Sequence, residues 1–251
     1  MEDDQVVSGL VHLARTPLPE RRALLTSALS LPTLDPLAAV STLRRKYPDL
    51  DPSVCSALVT QQQLLLAGAD KGLIDATGLW MTTPVGLEQA SRPQVAFRRA
   101  SLLAAAGVRS VVDATAGIGM DSHAFARRGM HVIAVEKDPV TSEVCAANLT
   151  ATLSEVDAPA SVINADATEP DLLGVLVPSS CPLPLLFLST PHDGEAPDLS
   201  TGPALALNGT QNAGLLRGPS LIRFARTSTS LRRKPRALSS PPRRGRASGS
   251  A

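Results

Sequence analysis

Residues 111–121, Val111-Val112-Asp113-Ala114-Thr115-Ala116-Gly117-Ile118-Gly119-Met120-Asp121, constrain the fold of this 251-residue chain more than any other stretch. A short apolar run ends on an acid, and a loop of small residues with two glycines leads into a helical segment. Glycine reaches backbone angles closed to other residues and lets a ligand lie against bare main chain, so the loop reads as a small-molecule nucleotide site. Taken alone, the same letters also describe a plain strand-to-helix turn that uses glycine for a positive φ.

The flanking pattern separates these readings. The next strand, His131-Val132-Ile133-Ala134-Val135, ends in Glu136, which lies 23 positions after Asp113. A carboxylate at the tip of a neighbouring strand is placed to accept both hydroxyl protons of a ribose. A third strand over 160–164 runs into Asn164-Ala165-Asp166-Ala167 and sets another acid at a strand end. Helical segments over 122–128, 140–153 and 170–176 alternate with these strands and with a fourth over 183–188. Such alternation predicts right-handed crossovers and a parallel sheet with helices on both faces, whose ligands sit at the carboxyl ends of the strands.

A dinucleotide fold is the rival, since Gly117 and Gly119 supply the first two glycines of GxGxxG and an acid follows about 20 residues on. Position 122 is Ser, however, and Asp113 stands before the loop, where that fingerprint has no acid. Its carboxylate repels a pyrophosphate and attracts an amino group.

Ahead of this region, residues 4–74 read as helices separated by proline turns, over 6–14, 20–29, 36–47 and 52–74. Asp51-Pro52 supplies an N-cap followed by proline in the first turn. The run Gln61-Gln62-Gln63 reads as a polar helix face. After Leu79-Trp80-Met81 and the turn-like Thr83-Pro84, one helix is predicted over 86–106. The organisation is therefore an N-terminal helical module over 1–78, a Rossmann-like α/β domain over 79–188, and an irregular tail over 189–251 with two weakly strand-like pieces, over 204–207 and 220–224.

Composition adds three bounds. Aromatic residues make up only 2% of the chain, so the core must be built from Leu, Val, Ile and Ala. Cys55, Cys145 and Cys181 form no metal-binding or redox spacing; no metal is implied and a reducing setting fits. No apolar run reaches the roughly 18 residues of a membrane span, and residues 1–4 are acidic, so the expected location is the cytoplasm. Charge is divided unevenly: residues 1–198 hold 14 basic and 23 acidic side chains, or −9, and residues 199–251 hold ten basic ones and no acid, or +10. That Ser-, Pro- and Arg-rich end reads as a solvated, disordered tail, with a nucleic-acid-binding arm as the alternative.

The run from Asp113 to Asp121, followed by Val132-Ile133-Ala134-Val135-Glu136-Lys137-Asp138-Pro139, resembles class I S-adenosylmethionine (SAM)-dependent methyltransferases. Within that class it resembles the THUMP-like-domain-containing branch, and it is similar to trimethylguanosine synthase and the rRNA guanine-N2 methyltransferases. Thr83-Pro84-Val85-Gly86-Leu87-Glu88-Gln89-Ala90-Ser91-Arg92-Pro93 resembles the segment that precedes the cofactor domain in that branch. The resemblance covers about residues 35–187 and is strongest over 109–150.

It implies SAM as the cofactor, with Asp113, Gly117 and Gly119 around its methionine part and Ala114, Thr115, Asp121, Lys137 and Ala167 among the other cofactor-binding residues. In this resemblance Glu136 binds the ribose hydroxyls, Asp166 meets the adenine amino group, and Thr83 and Pro84 lie near the methionine carboxylate. Thr115 departs from the glycine that many relatives carry, although the guanine-N2 enzymes have a similar Asp-Ala-Thr-Ala-Gly run.

Relatives place a catalytic motif directly after the fourth strand, Asp-Pro-Ala-Arg-Arg or an Asp/Asn-Pro-Pro-aromatic element that holds an acceptor nitrogen. Here the strand runs into Ser189-Thr190-Pro191-His192-Asp193-Gly194. No catalytic residue is assigned; His192-Asp193 reads as a solvated turn. The sheet is accordingly expected to be incomplete, ending at the fourth strand with an unpaired edge, as in a chain truncated or frameshifted near residue 187. Two functions remain open: a SAM-dependent methyltransferase acting on RNA guanine or another nitrogen acceptor, with RNA as a partner, or an inactive remnant that at most binds SAM.

Overall fold

A computed structural model describes residues 2–70, 72, 80–169 and 172, and the strand segments 185–188, 206–207, 214–218 and 221–225. Four helices come first: α1 (Glu2–Arg15), α2 (Leu18–Leu29), α3 (Pro36–Lys46) and α4 (Pro52–Asp70). Proline after a capping residue starts several elements. Asp35 accepts the Ala38 N–H at 2.9 Å ahead of α3, and Asp51 accepts the Ser53 N–H at 2.8 Å ahead of α4. Proline has no N–H to leave unpaired, and its fixed φ already suits a first turn.

The predicted helix over 86–106 is two helices, α5 (Pro84–Gln89) and α6 (Pro93–Ala105). Pro93 causes the break, because a residue before proline is forced out of the helical region. Arg92 accordingly sits at φ −61°, ψ 138°. The kink has a structural use, since it frees Ser91 to donate to Asp121 at 2.6 Å.

The α/β part continues through β1 (Ser110–Asp113), α7 (Met120–Ala126), β2 (His131–Glu136), α8 (Pro139–Leu153), β3 (Ala160–Asn164), β4 (Leu185–Leu188) and β5 (Ala206–Leu207). The strands form one sheet in the order β3-β2-β1-β4-β5, and every pairing in it is parallel. This is the Rossmann-like arrangement, reversing direction about β1 and β4. The sheet does not end at the fourth strand: β5, inside the weakly strand-like piece over 204–207, pairs with β4 through Phe187–Ala206 and Leu188–Leu207. A separate antiparallel pair, β6 (Gly214–Gly218) with β7 (Leu221–Ala225), stands outside it.

All four residues of β1 are buried, as a central strand requires, whereas Ser161 and Asn164 of β3 are exposed. Val111 and Val132 pack with Phe125 of α7 and Ala96, Ala100 and Leu103 of α6. On the same face Ala134 meets Cys145 and Leu149 of α8. Val112 and Val135 point the other way, against Ile163 and Leu172. Of the expected helix over 170–176, only residue 172 is among the described residues.

The four N-terminal helices do not pack on themselves alone. Leu10, Leu13, Leu25, Leu43 and Leu58 share one buried cluster with Met81, Ile118, Val144 and Ala147, so α8 serves both parts of the molecule. Arg21 of α2, 3% exposed, seals this junction by donating to Ala14 O at 2.7 Å and Ala147 O at 2.7 Å. One bond satisfies a carbonyl left open at the end of α1; the other crosses to α8. The buried guanidinium carries a lowered pKa, first because burial disfavours the charge and then because Arg22 repels it.

Gly9 permits a close approach of α1 to the start of α4: a Cβ there would stand 2.1 Å from Ser53 O. Among the described residues no helix is long and apolar enough to cross a membrane.

Candidate functional site

The loop after β1 is held from two sides. The Ala116 N–H donates to Val135 O at 3.0 Å, and the Gly117 N–H donates to Glu136 Oε2 at 2.9 Å. The tip of β2 thus anchors the middle of the loop. Glu136 Oε1 accepts the Asp138 N–H at 2.9 Å, and Asp138 caps α8 by accepting the Thr141 N–H at 2.7 Å. Both oxygens of Glu136 are oriented by main chain, and each retains capacity to accept a further hydroxyl proton.

The two glycines have different reasons. Gly117 has φ +54° and nothing within 4 Å of a would-be Cβ, so its bare backbone faces open space. Gly119, at φ +89°, would bring a Cβ to 3.0 Å from Cys145 Sγ, so it permits packing against α8. Burial raises the pKa of the Cys145 thiol well above its ordinary value, with Asp113 and Glu136 adding to the effect.

At the tip of β3, Asn164 Nδ2 donates to Glu136 O at 2.9 Å and Lys137 O at 3.1 Å, tying the β2 and β3 ends together. Asp166 follows, half-buried, its Oδ1 accepting from Thr168 Oγ1 at 2.7 Å and the Thr168 N–H at 2.9 Å. Those two bonds, the side-chain one first, hold its pKa below the usual carboxylate value.

One cavity of about 1030 Å³ runs along these strand tips. Thr83, Pro84, Ala114, Thr115, Gly117, Asp121, Glu136, Lys137, Asp166 and Ala167 all line it, together with Val6, Val7 and Leu10 of α1 and Ala57, Thr60 and Leu64 of α4. Ten of the twelve residues singled out from the sequence therefore share one space. Asp113 and Gly119 stand behind its wall.

Asp113 is 4% exposed and accepts from Ser122 Oγ at 2.6 Å. Its pKa is pushed up to about 7, first by burial and then by the neighbouring charge of Asp121, against the opposing Ser122 bond. Asp121 has the better company, with Arg99 and Ser91 on its two oxygens. Asp121, not Asp113, is the acid of this pair that reaches the cavity.

The sequence reading missed the roles of several structural contributors. Ser122 occupies the place of a third glycine and is the donor to Asp113. Arg99 lies 22 positions before its partner Asp121, with no local signal to join them. Gln61 and Gln62 are each 1% exposed, not a polar helix face; only Gln63 of that run points outward. Burial became possible because Gln61 found main-chain partners at Thr82, and Gln62 approaches Thr33 O at 3.5 Å. His192 and Asp193 lie outside the described residues. Among the described residues there is no group of three or more His, Cys, Asp or Glu that could hold a metal ion.

No protein-family model and no curated protein matches the chain. Among solved structures, it is similar to a protein of Porphyromonas gingivalis W83 described as a methyltransferase. The identity is 19% and the TM-score 0.45, over 60% of this chain and 39% of that one. It is also similar to a Pyrococcus horikoshii protein described as an RNA methyltransferase, at 21% identity and TM-score 0.33, over 52% of this chain and 59% of that one. A third is MtNAS in complex with S-adenosylmethionine, at 16% identity and TM-score 0.32, over 75% of this chain and 72% of that one. The chain thus spans less than two thirds of the first two proteins. Its Rossmann-like architecture rests on its own strand order.

Proposed function

We propose that the cavity at the strand tips binds SAM and that the chain belongs to a methyl-transfer enzyme acting on a nitrogen acceptor. The carrying observation is that Glu136 and Asp166, at the ends of adjacent strands, open onto the same space as Gly117 and Asp121. In this reading Glu136 accepts from the ribose hydroxyls, Asp166 and Ala167 meet the adenine, and Thr83, Pro84 and Asp121 surround the methionine part.

Charge supports a cationic ligand over a dinucleotide. The described lining carries Asp121, Glu136, Asp138 and Asp166 against the single base Lys137. A sulfonium and an ammonium are attracted to such a wall, whereas a pyrophosphate is repelled.

When bound, SAM supplies an electrophilic methyl group to an acceptor lone pair. The contribution of the chain is to hold donor and acceptor close and aligned. Within the class we favour the THUMP-like branch, a cytoplasmic setting, and guanine in RNA as the acceptor that the resemblance implies. We assign residues 1–78 to a helical module and 79–188 to the cofactor domain.

Calorimetry of the full chain with S-adenosylhomocysteine tests the donor side, and transfer of labelled methyl from SAM to bulk RNA tests the acceptor. Binding with transfer is the expected result. Binding without transfer to any nitrogen acceptor supports a remnant that holds only the cofactor, and heat from NAD but none from S-adenosylhomocysteine defeats the proposal.

A further inference from the structure

Two buried carboxamides hold the segment that leads into the cavity wall, Gln61 from the helical module, itself on the lining, and Asn148 from α8. Gln61 lies within α4 and is 1% exposed. Its Nε2 donates to Thr82 O at 2.7 Å, and its Oε1 accepts the Thr82 N–H at 2.9 Å. Asn148 of α8, 2% exposed, treats the preceding residue in the same way: Oδ1 accepts the Met81 N–H at 2.8 Å and Nδ2 donates to Met81 O at 2.9 Å. Asn148 Nδ2 also donates to Ile118 O at 2.8 Å, inside the glycine loop.

Met81 and Thr82 are both 0% exposed and belong to no strand. Buried main-chain groups must be paired, and here two side chains do what neighbouring strands do in a sheet. The pairing fixes the extended path of the segment and therefore the entry into α5. Thr83 Oγ1, immediately downstream, caps that helix by accepting the Gly86 N–H at 2.9 Å. Gly86 in turn packs so tightly on the loop that a Cβ would come within 2.3 Å of Ile118 Cγ2. Asn148 thus ties the Thr83-Pro84 wall to the glycine loop, and Gln61 ties the same wall to α4.

We infer that Gln61 and Asn148 are positioning residues that set the wall facing the amino-acid end of the ligand, so that α4 controls recognition of that end specifically. This rests on the assignment of the cavity to SAM. The strand-tip wall, with Glu136 and Asp166, is reached by neither amide.

The test uses two ligands on the full chain: S-adenosylhomocysteine, and 5′-methylthioadenosine, which has the nucleoside but lacks the amino-acid end. Affinities are measured by calorimetry beside a thermal melt, for wild type, Gln61→Met and Gln61→Glu. Gln61→Met keeps the length and removes both hydrogen bonds. It is expected to weaken S-adenosylhomocysteine on the order of tenfold, the size of one lost buried hydrogen-bond pair, while 5′-methylthioadenosine stays within about twofold.

Gln61→Glu keeps an acceptor for the Thr82 N–H and is expected to fall between the two. It carries the same test by itself if Gln61→Met does not fold. Equal loss for both ligands, or no loss for either, overturns the inference, because general loosening has no preference for one end. A wild-type chain that binds 5′-methylthioadenosine but not S-adenosylhomocysteine overturns it as well. Wild type binding neither removes the SAM assignment itself.

Discussion

The two walls of the cavity are built by opposite means. The strand-tip wall is local: Asp166 is oriented by Thr168, two residues on, and Glu136 by Asp138 and by Gly117 on the adjoining strand's loop. The helical wall is assembled from distant pieces, with Gln61 reaching 21 positions to Thr82 and Asn148 reaching 67 positions to Met81. A wall of the first kind forms whenever the sheet forms. One of the second kind forms only if several helices dock correctly, and it couples ligand recognition to global packing.

Breaking the docking should therefore have the largest effect. Gly9→Ala places a methyl group 2.1 Å from Ser53 O, a main-chain atom that cannot turn aside as a side chain would. Helix α1 must withdraw from α4, opening the cluster that contains Leu10, Leu13 and Leu58. We expect a loss of about 3 kcal/mol or more, read from urea unfolding of the variant beside wild type. A loss below about 0.5 kcal/mol, that of an ordinary surface change, would show that the helical wall is not under this constraint.

Behind the wall lies Asp113, buried, and its effect depends on pH. Its carboxyl is raised from 3.8 to about 7 in the folded chain. Between those values the native state keeps a proton that the unfolded chain has released, so stability falls as pH rises through the window. Asp113→Asn cannot ionise but still offers an oxygen to Ser122. Its stability should fall less over the window, the wild-type slope being up to about 1.4 kcal/mol per pH unit steeper. Melting both proteins at pH values from about 4 to about 7 checks this; parallel curves would mean that Asp113 carries its charge without cost.

The same division explains what was legible in the sequence. The acids at 113, 136 and 166 could be read because a parallel sheet aligns strand ends, and a strand end is a local pattern. β1, β2 and β3 accordingly lie where apolar runs stop at polar residues. The helical wall offered no such signal. Gln61-Gln62-Gln63 looks polar by composition, yet two of the three are buried because their partners arrive from elsewhere in the chain. The single helix over 86–106 failed for a local reason, Pro93, whose effect on the preceding residue outweighs the apolar spacing around it. Asp113 was legible as an acid at the right place but not as one behind the wall, since Ser122 and Arg99 decide which of the two neighbouring acids faces the cavity.

The smallest effect should come from the strand-tip wall, and it separates the two kinds of construction most cleanly. Asp166 is oriented only by Thr168, and its bonds close within a turn that no distant element shares. Asp166→Ala should leave the thermal melt of the ligand-free chain unchanged, because a half-buried carboxylate bonded only within its own turn shifts stability by about 0.5 kcal/mol at most. If the residue meets the adenine, affinity for 5′-methylthioadenosine and S-adenosylhomocysteine should fall together, by about fivefold for one hydrogen bond. That joint fall is the reverse of the selective loss expected at Gln61. An Asp166→Ala chain that melts early while binding both ligands normally would mean that the strand-tip wall, too, is held by the fold at large, and the contrast between the walls would collapse.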